Sequence, residues 1–511
     1  MKPEHSADCE ILVIGAGVSG IGAGALLRRA GFEDFLILDK AREVGGTWRD
    51  HTYPGLTVDI PSLTYSYSFE PKPDWSSLWA PQPEVLDYLR HCAGKYRLEP
   101  HLRLGEEVVE TRYDQVTNLW RTRLRGGRTY TSRYVINASG YLSTARWPDI
   151  DGLDGFLGRT LHTCQWSPDI ELAGARVALI GTGATAIQLG PEIADAATAL
   201  HVYQRTPIWL LPKPPLRFPR TLQRLFRALP ATQRAARLTL STFMELVFFR
   251  VFTNYRQAAW LARAAQRAAR NHIRRQVDDP VTAERLTPDY DWGCKRPSFS
   301  NTFYPMFNRP HVELVTAPIA RITPTGVVTS DGVERGVDTL ICATGYQAFE
   351  KGALPTYPVH GRDDLELREF WDTHRYQAFR GFAVHGFPNY FLIFGPYSVA
   401  SATYHGMVEV AMANIIRCMK AARRHGTDYV EVTDQAQARD HQDVLRKKRK
   451  SLWSVADCAG SNTYYFDRFG DTPGFRPSYQ PVEIWASRTL SARHFDFSPI
   501  RQPVAARPAP P

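Results

Sequence analysis

Residues 10–31 read EILVIGAGVSGIGAGALLRRAG, and residues 176–196 read RVALIGTGATAIQLGPEIADA. Each opens on a short apolar run typical of a buried strand, crosses a G-x-G turn and enters an apolar pattern of helical period. The first motif has Gly15, Gly17 and Gly20; the second has Gly181, Gly183 and Ala186. Glycines directly after a strand and at the start of a helix let backbone N–H groups and the positive helix end face a pyrophosphate. FLILD (35–39) and ALHVY (199–203) read as the strands that follow. The chain therefore predicts an α/β fold with two Rossmann-like dinucleotide-binding domains.

The two following strands end on opposite charges. Asp39 lies 24 residues after Gly15, and Arg205 lies 24 residues after Gly181. A carboxylate at that tip accepts hydrogen bonds from ribose hydroxyls and repels a 2′-phosphate, whereas a guanidinium pairs with one. The second site is thus expected to take NADP. The first suits an unphosphorylated ribose, and FAD fits it best because a nicotinamide in the same chain needs a redox partner. No cysteine lies between Cys9 and Cys92, so the dithiol relay of flavin disulfide reductases is missing from its usual place, and molecular oxygen is the simplest electron acceptor.

Working outward, residues 111–140 read as strands around a Gly-Gly hairpin, and residues 312–346 repeat that plan, each closing on an apolar strand and a small-residue loop. Residues 216–280 break it: they contain no glycine, a single proline (Pro230) between Pro219 and Pro280 near their ends, and an Arg/Ala/Leu/Phe-rich composition that predicts helices. Arg263, Arg267, Arg270 and Arg274 share one helical face, with Leu261, Ala265 and Ala268 roughly opposite. This segment also explains the charge. The chain is +10 overall, yet thirteen arginines and a single acid, Glu245, between Arg217 and Arg275 give +12, leaving the remainder at −2. A helical lid at the substrate entrance is the preferred reading, peripheral attachment to an anionic membrane the second. Nucleic-acid binding is disfavoured because no recognised module accompanies the charge.

At 511 residues, with 43% hydrophobic and 22% charged residues, the chain has ample core. Its seven scattered cysteines form no C-x-x-C pair or metal-ligand spacing and read as reduced thiols of a cytosolic protein. No signal peptide or membrane span is expected. The expected division is a first FAD-binding part over 1–146, a first NADP-binding part over 147–215, a helical insertion over 216–290, a second NADP-binding part over 291–345, a second FAD-binding part over 346–500, and a disordered Pro-rich tail over 501–511.

FLGRTLHTCQW (156–166) resembles the F-x-G-x-x-x-H-x-x-x-W fingerprint of type I Baeyer-Villiger monooxygenases, through Phe156, Gly158, His162 and Trp166. In the related flavin-containing monooxygenases the last position is usually Tyr or Phe. GGTW (45–48), YPGLTVD (53–59), GTGATAIQ (181–188), QRTP (204–207), GCKR (293–296) and ATGY (343–346) are also similar to this family, with YPGLTVD departing from the commoner YPGARCD. The resemblance implies an NADPH-dependent flavoprotein monooxygenase that uses oxygen to convert a ketone to an ester or lactone. It implies Arg296 as the catalytic arginine, Asp59 as its carboxylate partner, and Lys295 and Thr206 at the NADP phosphate. It further implies Thr182, Gly183, Ala184, Thr185 and Gln188 on NADP, and Thr47, Trp48, Tyr65 and Val108 on FAD. His162 and Trp166 hold the linker between the nucleotide domains rather than transfer protons. An anionic oxygen nucleophile attacking a carbonyl, and the oxyanion that results, both need a fixed positive charge in a dry pocket, which Arg296 supplies. The alternatives are oxygenation of sulfides or amines, which needs no oxyanion stabilisation, and a flavin-binding scaffold without turnover.

Overall fold

The computed structural model describes residues 7–350, 352–400 and 403–498, so the tail over 501–511 lies outside the described residues. In the first sheet, β1 (Cys9–Ile14), β2 (Phe35–Asp39), β3 (Leu102–Leu104) and β6 (Thr129–Asn137) run parallel in the order β6-β1-β2-β3. β4 (Val108–Asp114) and β5 (Leu119–Leu124) extend it antiparallel beside β6. The second sheet is wholly parallel: β7 (Arg159–His162), β8 (Arg176–Ile180), β9 (Ala199–Tyr203), β10 (Val312–Val315) and β11 (Thr339–Cys342), in the order β10-β9-β8-β11-β7. The chain then returns to the first sheet, where β12 (Val359–His360) pairs with β4 and β13 (Tyr390–Leu392) with β6. Strands buried on both faces need continuous apolar runs, as in LVI of β1 and VALI of β8.

The two glycine turns are near-superimposable in their local rules. Gly15 has φ +110° and Gly181 φ +111°; a Cβ on either would come within 2.6 Å of the carbonyl oxygen that ends the neighbouring strand, Ala138 or Ala343. Gly15 N–H donates to Leu38 O and Gly181 N–H to Tyr203 O, so each turn is tied to the tip of the following strand. Helix α1 (Val18–Arg29) then packs so closely that a Cβ on Gly20 would meet Gly15 O at 1.7 Å. α2 (Ala184–Ala196) is its counterpart in the second unit.

The insertion is helical as expected: α3 (Arg220–Ala228), α4 (Pro230–Met244), a π-helical turn over Glu245–Phe249, a short turn over Arg250–Thr253 and α5 (Tyr255–Gln276). Pro230 opens α4, where its missing N–H costs nothing. Its two halves cover different bodies. Phe226 joins the core around β1 and α1, and Gln233 and Arg237 donate to Lys72 O and Ser66 O at 2.6 and 2.9 Å. α5 lies instead against Trp209 and Trp292 of the second unit. Its buried face is Ala258, Ala262, Ala269 and Ile273, so the apolar stripe is not centred as the sequence suggests: Ala268 is exposed, because alanine carries too little hydrophobicity to mark a face. The arginine face is as read, with Arg270 lying over the Trp209 ring.

The cysteine reading needs correcting. Cys294 and Cys458 form a disulfide with Cα atoms 5.2 Å apart, while Cys9, Cys92, Cys164, Cys342 and Cys418 are free. The partners lie 164 residues apart, so only the tertiary fold brings them together. Among the described residues no helix is long and apolar enough to cross a membrane.

Candidate active site

At the first turn, Asp39 accepts from Ala16 N–H (2.7 Å) and Ala41 N–H (2.9 Å), with Arg49 3.5 Å away. These bonds hold the carboxylate at the strand tip. GGTW folds over the turn: Gly45 N–H donates to Ala16 O, and a Cβ on Gly17 would lie 3.4 Å from Gly46 Cα. Bare backbone on both sides makes a cradle into which a pyrophosphate fits and side chains would not. Thr47 and Trp48 begin the following short helix, and Trp48 Nε1 donates to Tyr65 OH at 2.8 Å. Val108 starts β4, just after the 105–107 loop that donates back to Asp39 O and Ala41 O.

The second turn is open: a Cβ on Gly183 would meet nothing within 4 Å, and Ala184 is exposed. Thr206 is the hub beside it. Its carbonyl accepts from Thr182 Oγ1 (3.0 Å) and Lys295 Nζ (3.4 Å), and its hydroxyl accepts from Asn462 Nδ2 (2.8 Å). Arg205 is exposed, and together with burial it pushes Lys295 down to about 8. Two cations at one strand tip repel each other unless an anion joins them, which is the donor set a 2′-phosphate requires. Thr185 bonds the phenol of Tyr53, which burial pushes up to about 12. The Gln188 amide accepts from Thr57 N–H and donates to Thr57 O, pinning the loop that carries Asp59. Lys213 Nζ donates to Thr57 Oγ1 at 2.6 Å from the other side.

Between the two units stands the pair that sequence placed 237 residues apart. Arg296 Nη2 donates to Asp59 Oδ1 at 2.7 Å. The Asp59 carboxylate holds the Arg296 guanidinium well above its ordinary range, so the cation is permanent. The Arg296 side chain keeps 41% exposure and Asp59 24%, so the charge is held yet remains reachable. Tyr65, Tyr141 and Tyr465 surround it, each pushed upward by burial and opposed by Arg296. They line the cation with rings whose hydroxyls stay protonated.

The fingerprint residues fasten the two crossovers between units. A Cβ on Gly158 would meet Asp338 O at 2.3 Å and the Phe156 ring at 2.6 Å, which explains why glycine stands there. His162 is fully buried; its Nε2 donates to Gly345 O (3.1 Å), and its Nδ1 accepts from Cys164 N–H (3.3 Å). Gly345 O also accepts from Arg146 N–H, and Ala145 pairs with Tyr346, so one histidine ties both crossovers. Burial pushes His162 below the usual histidine range, which keeps it neutral. Trp166 is buried, and its carbonyl accepts from Thr52 Oγ1. His51, bonded to Tyr346 OH, and Tyr53, Tyr141 and Lys213 complete the junction; Tyr53 opens YPGLTVD, whereas His51, Tyr141 and Lys213 carry no motif that sequence reasoning could have used.

Two nucleotide cradles of opposite tip charge, meeting at a half-buried arginine–carboxylate pair, define a two-dinucleotide oxidoreductase. Comparison narrows the class. Residues 12–233 match the family model described as pyridine nucleotide-disulphide oxidoreductase. A Baeyer-Villiger monooxygenase of Pseudomonas aeruginosa is 37% identical over 97% of this chain and 92% of its own length. One of Streptomyces coelicolor is 34% identical over 93% and 91%. Among solved structures, a steroid monooxygenase bound to NADP superposes with TM-score 0.83 at 28% identity, covering 96% of this chain and 99% of its own. OTEMO in complex with FAD and NADP gives TM-score 0.84 at 27% identity, covering 96% and 99%. The chain belongs to the Baeyer-Villiger monooxygenase family.

Proposed function

We propose that this chain is an FAD- and NADPH-dependent monooxygenase that inserts one atom of O2 beside a ketone carbonyl, giving an ester or lactone. The balance is ketone + NADPH + H⁺ + O2 → ester + NADP⁺ + H2O. The observation that carries the proposal is the Arg296–Asp59 pair where the two cradles meet. Residues 1–146 and 346–500 make up the FAD part, and 147–215 with 291–345 the NADP part, with 216–290 inserted.

Bound FAD supplies the electron transfer from NADPH and the activation of oxygen. The protein does the rest. Gly15, Gly17 and Gly20 present backbone N–H groups to the FAD pyrophosphate, and Asp39 receives its ribose hydroxyls; Thr47, Trp48, Tyr65 and Val108 border that cofactor. Thr182, Gly183, Ala184, Thr185, Gln188 and Thr206 would border NADP, and Arg205 and Lys295 would hold its 2′-phosphate. Arg296 donates to the carbonyl oxygen as it becomes an oxyanion, and Asp59 keeps the guanidinium aimed there. The half-buried Tyr65, Tyr141 and Tyr465 displace part of the water around the cation, which strengthens that interaction. Incubation of the enzyme with NADPH, oxygen and a panel of cyclic, linear and aryl ketones tests the reading by mass spectrometry: esters are expected, and oxidation of sulfides or amines alone would overturn it.

NADPH binding should depend on pH through Lys295. Its folded value of about 8 lies below the ordinary lysine range, so the cation is complete below that pH and is lost as pH rises through it. Affinity for NADPH is expected to be flat up to about pH 8 and then to fall by up to about tenfold per unit. Fluorescence titration of wild type and Lys295→Gln checks this; equal slopes in both would contradict it.

From α3 through α4 to the π-helical turn, the outer face exposes Leu225, Leu229, Leu238 and Leu246 beside Arg220, Arg224, Arg227 and Arg234. Apolar anchors among cations suit the surface of an anionic bilayer. Co-sedimentation with phosphatidylserine vesicles that weakens with salt is expected; no binding would remove membrane contact from the account.

A further inference from the structure

Arg296 sits on a turn anchored by the disulfide. Gly293 has φ +99°, and a Cβ there would meet Leu452 at 2.8 Å and Phe252 at 2.9 Å, so the turn lies flat against the helical layer. Trp453 Nε1 donates to Cys294 O at 3.4 Å. Two residues beyond Cys294 is Arg296. On the other strand of the crosslink, four residues beyond Cys458 is Asn462, which holds Thr206, followed by Tyr464 and Tyr465, which lie close enough to Arg296 to bear on its charge.

The segment 457–465 has one short turn, Ala459–Ser461, as its regular structure. Its remaining ties are few. Asp291 N–H donates to Asp457 O (3.1 Å), Asp457 N–H donates to Asp291 Oδ2 (3.3 Å), and Tyr465 packs edge-on against Trp453 with ring centroids 5.2 Å apart. Each such hydrogen bond adds little net stability, because water competes for the same groups in the open state. The covalent bond is the dominant tie.

We infer that the Cys294–Cys458 disulfide is a positioning crosslink for the active site. It registers the turn bearing Lys295 and Arg296 against the segment bearing Asn462, Tyr464 and Tyr465. Opening it diverts oxygen from ester formation into peroxide: NADPH + H⁺ + O2 → NADP⁺ + H2O2. The inference rests on the monooxygenase reading for its catalytic consequence and on geometry alone for its structural one.

Cys294 is fully buried and Cys458 partly exposed, so an external dithiol enters at Cys458. One thiolate of the reductant attacks the Cys458 sulfur, the S–S bond breaks, and Cys294 leaves and takes up a proton. The second thiolate of the reductant then closes on the first, releasing Cys458 as a thiol. Two electrons and two protons are gained by the protein, and the reductant departs as a disulfide.

The test uses the FAD-loaded enzyme before and after dithiothreitol, with thiols counted in denaturant, alongside Cys458→Ser. Five free thiols are expected as isolated and seven after reduction; seven at the outset would overturn the inference. Deuterium exchange of residues 457–466 should accelerate about tenfold or more on reduction. With cyclohexanone as probe ketone, peroxide formed per NADPH should rise at least about fivefold, and reoxidation with glutathione disulfide should reverse it. A disulfide that merely stabilises the fold would lower the melting temperature and leave the peroxide ratio unmoved at 25 °C, which would also overturn the inference. If no NADPH is consumed in either state, the monooxygenase reading fails, and the exchange measurement still decides whether the crosslink holds the segment.

Discussion

Arg296→Ala is expected to go on oxidising NADPH and to form no measurable ester. On the proposed assignment the FAD turn at Gly15–Gly20 and the NADP tip at Arg205 and Lys295 are untouched by the substitution, so both cofactors should keep those donors even though Arg296 is also expected to border them. What is lost is a permanent cation at the junction, held by Asp59 at 2.7 Å. Removing a single oxyanion donor costs about 10²–10³ in rate in other enzymes, and losing a full charge fixed by a carboxylate should cost the upper figure, about 10³. NADPH consumption should then appear as hydrogen peroxide. Arg296→Lys keeps charge but cannot hold Asp59 and the carbonyl oxygen at once, so it should recover only part of the rate. Ester formation at the wild-type rate in the alanine variant would remove Arg296 from the chemistry. A thioether substrate gives a second check, because its oxygenation develops no carbonyl oxyanion and should suffer less.

The second large effect concerns coenzyme choice. Arg205→Ala combined with Lys295→Ala should lower kcat/KM for NADPH by about 10²–10³ and leave that for NADH nearly unchanged, since each charge-assisted hydrogen bond contributes roughly 1.5–3 kcal/mol. The single losses should not add. Arg205 helps push Lys295 down, so Arg205→Ala alone raises the fraction of Lys295 that is charged at high pH and offsets part of its own cost. Steady-state kinetics with both coenzymes at pH 7 and pH 9 measures this; equal losses for NADPH and NADH would show that neither cation reads the 2′-phosphate.

Much of this architecture was legible in the sequence because strand, glycine turn and helix obey local rules. Gly15 and Gly181 show why: each is placed by its own backbone angle and by one carbonyl oxygen, and Asp39 and Arg205 follow at equal spacing. The Arg296–Asp59 contact was reachable only through GCKR and YPGLTVD taken as a resemblance, since nothing local joins residues 237 positions apart. Tyr141, His51 and Lys213 had no signal at all, being one tyrosine, histidine or lysine among many until the fold gathers them. The motif places Gln188 beside the second turn but does not announce its two bonds to Thr57, which join residues 131 positions apart. The buried stripe of α5 was mis-centred because alanines occupy both of its sides, and the disulfide was missed because cysteine spacing carries no information over 164 residues.

The central claim is that electrons from NADPH, held by the basic tip, and oxygen activated beside Arg296 combine to place one oxygen atom in a ketone. Turnover of a converted ketone under isotopically labelled O2, with mass spectrometry of the product, measures that directly. One labelled atom per ester, formed with NADPH, is the predicted result. An ester carrying oxygen from water, or label found only in hydrogen peroxide, would contradict it.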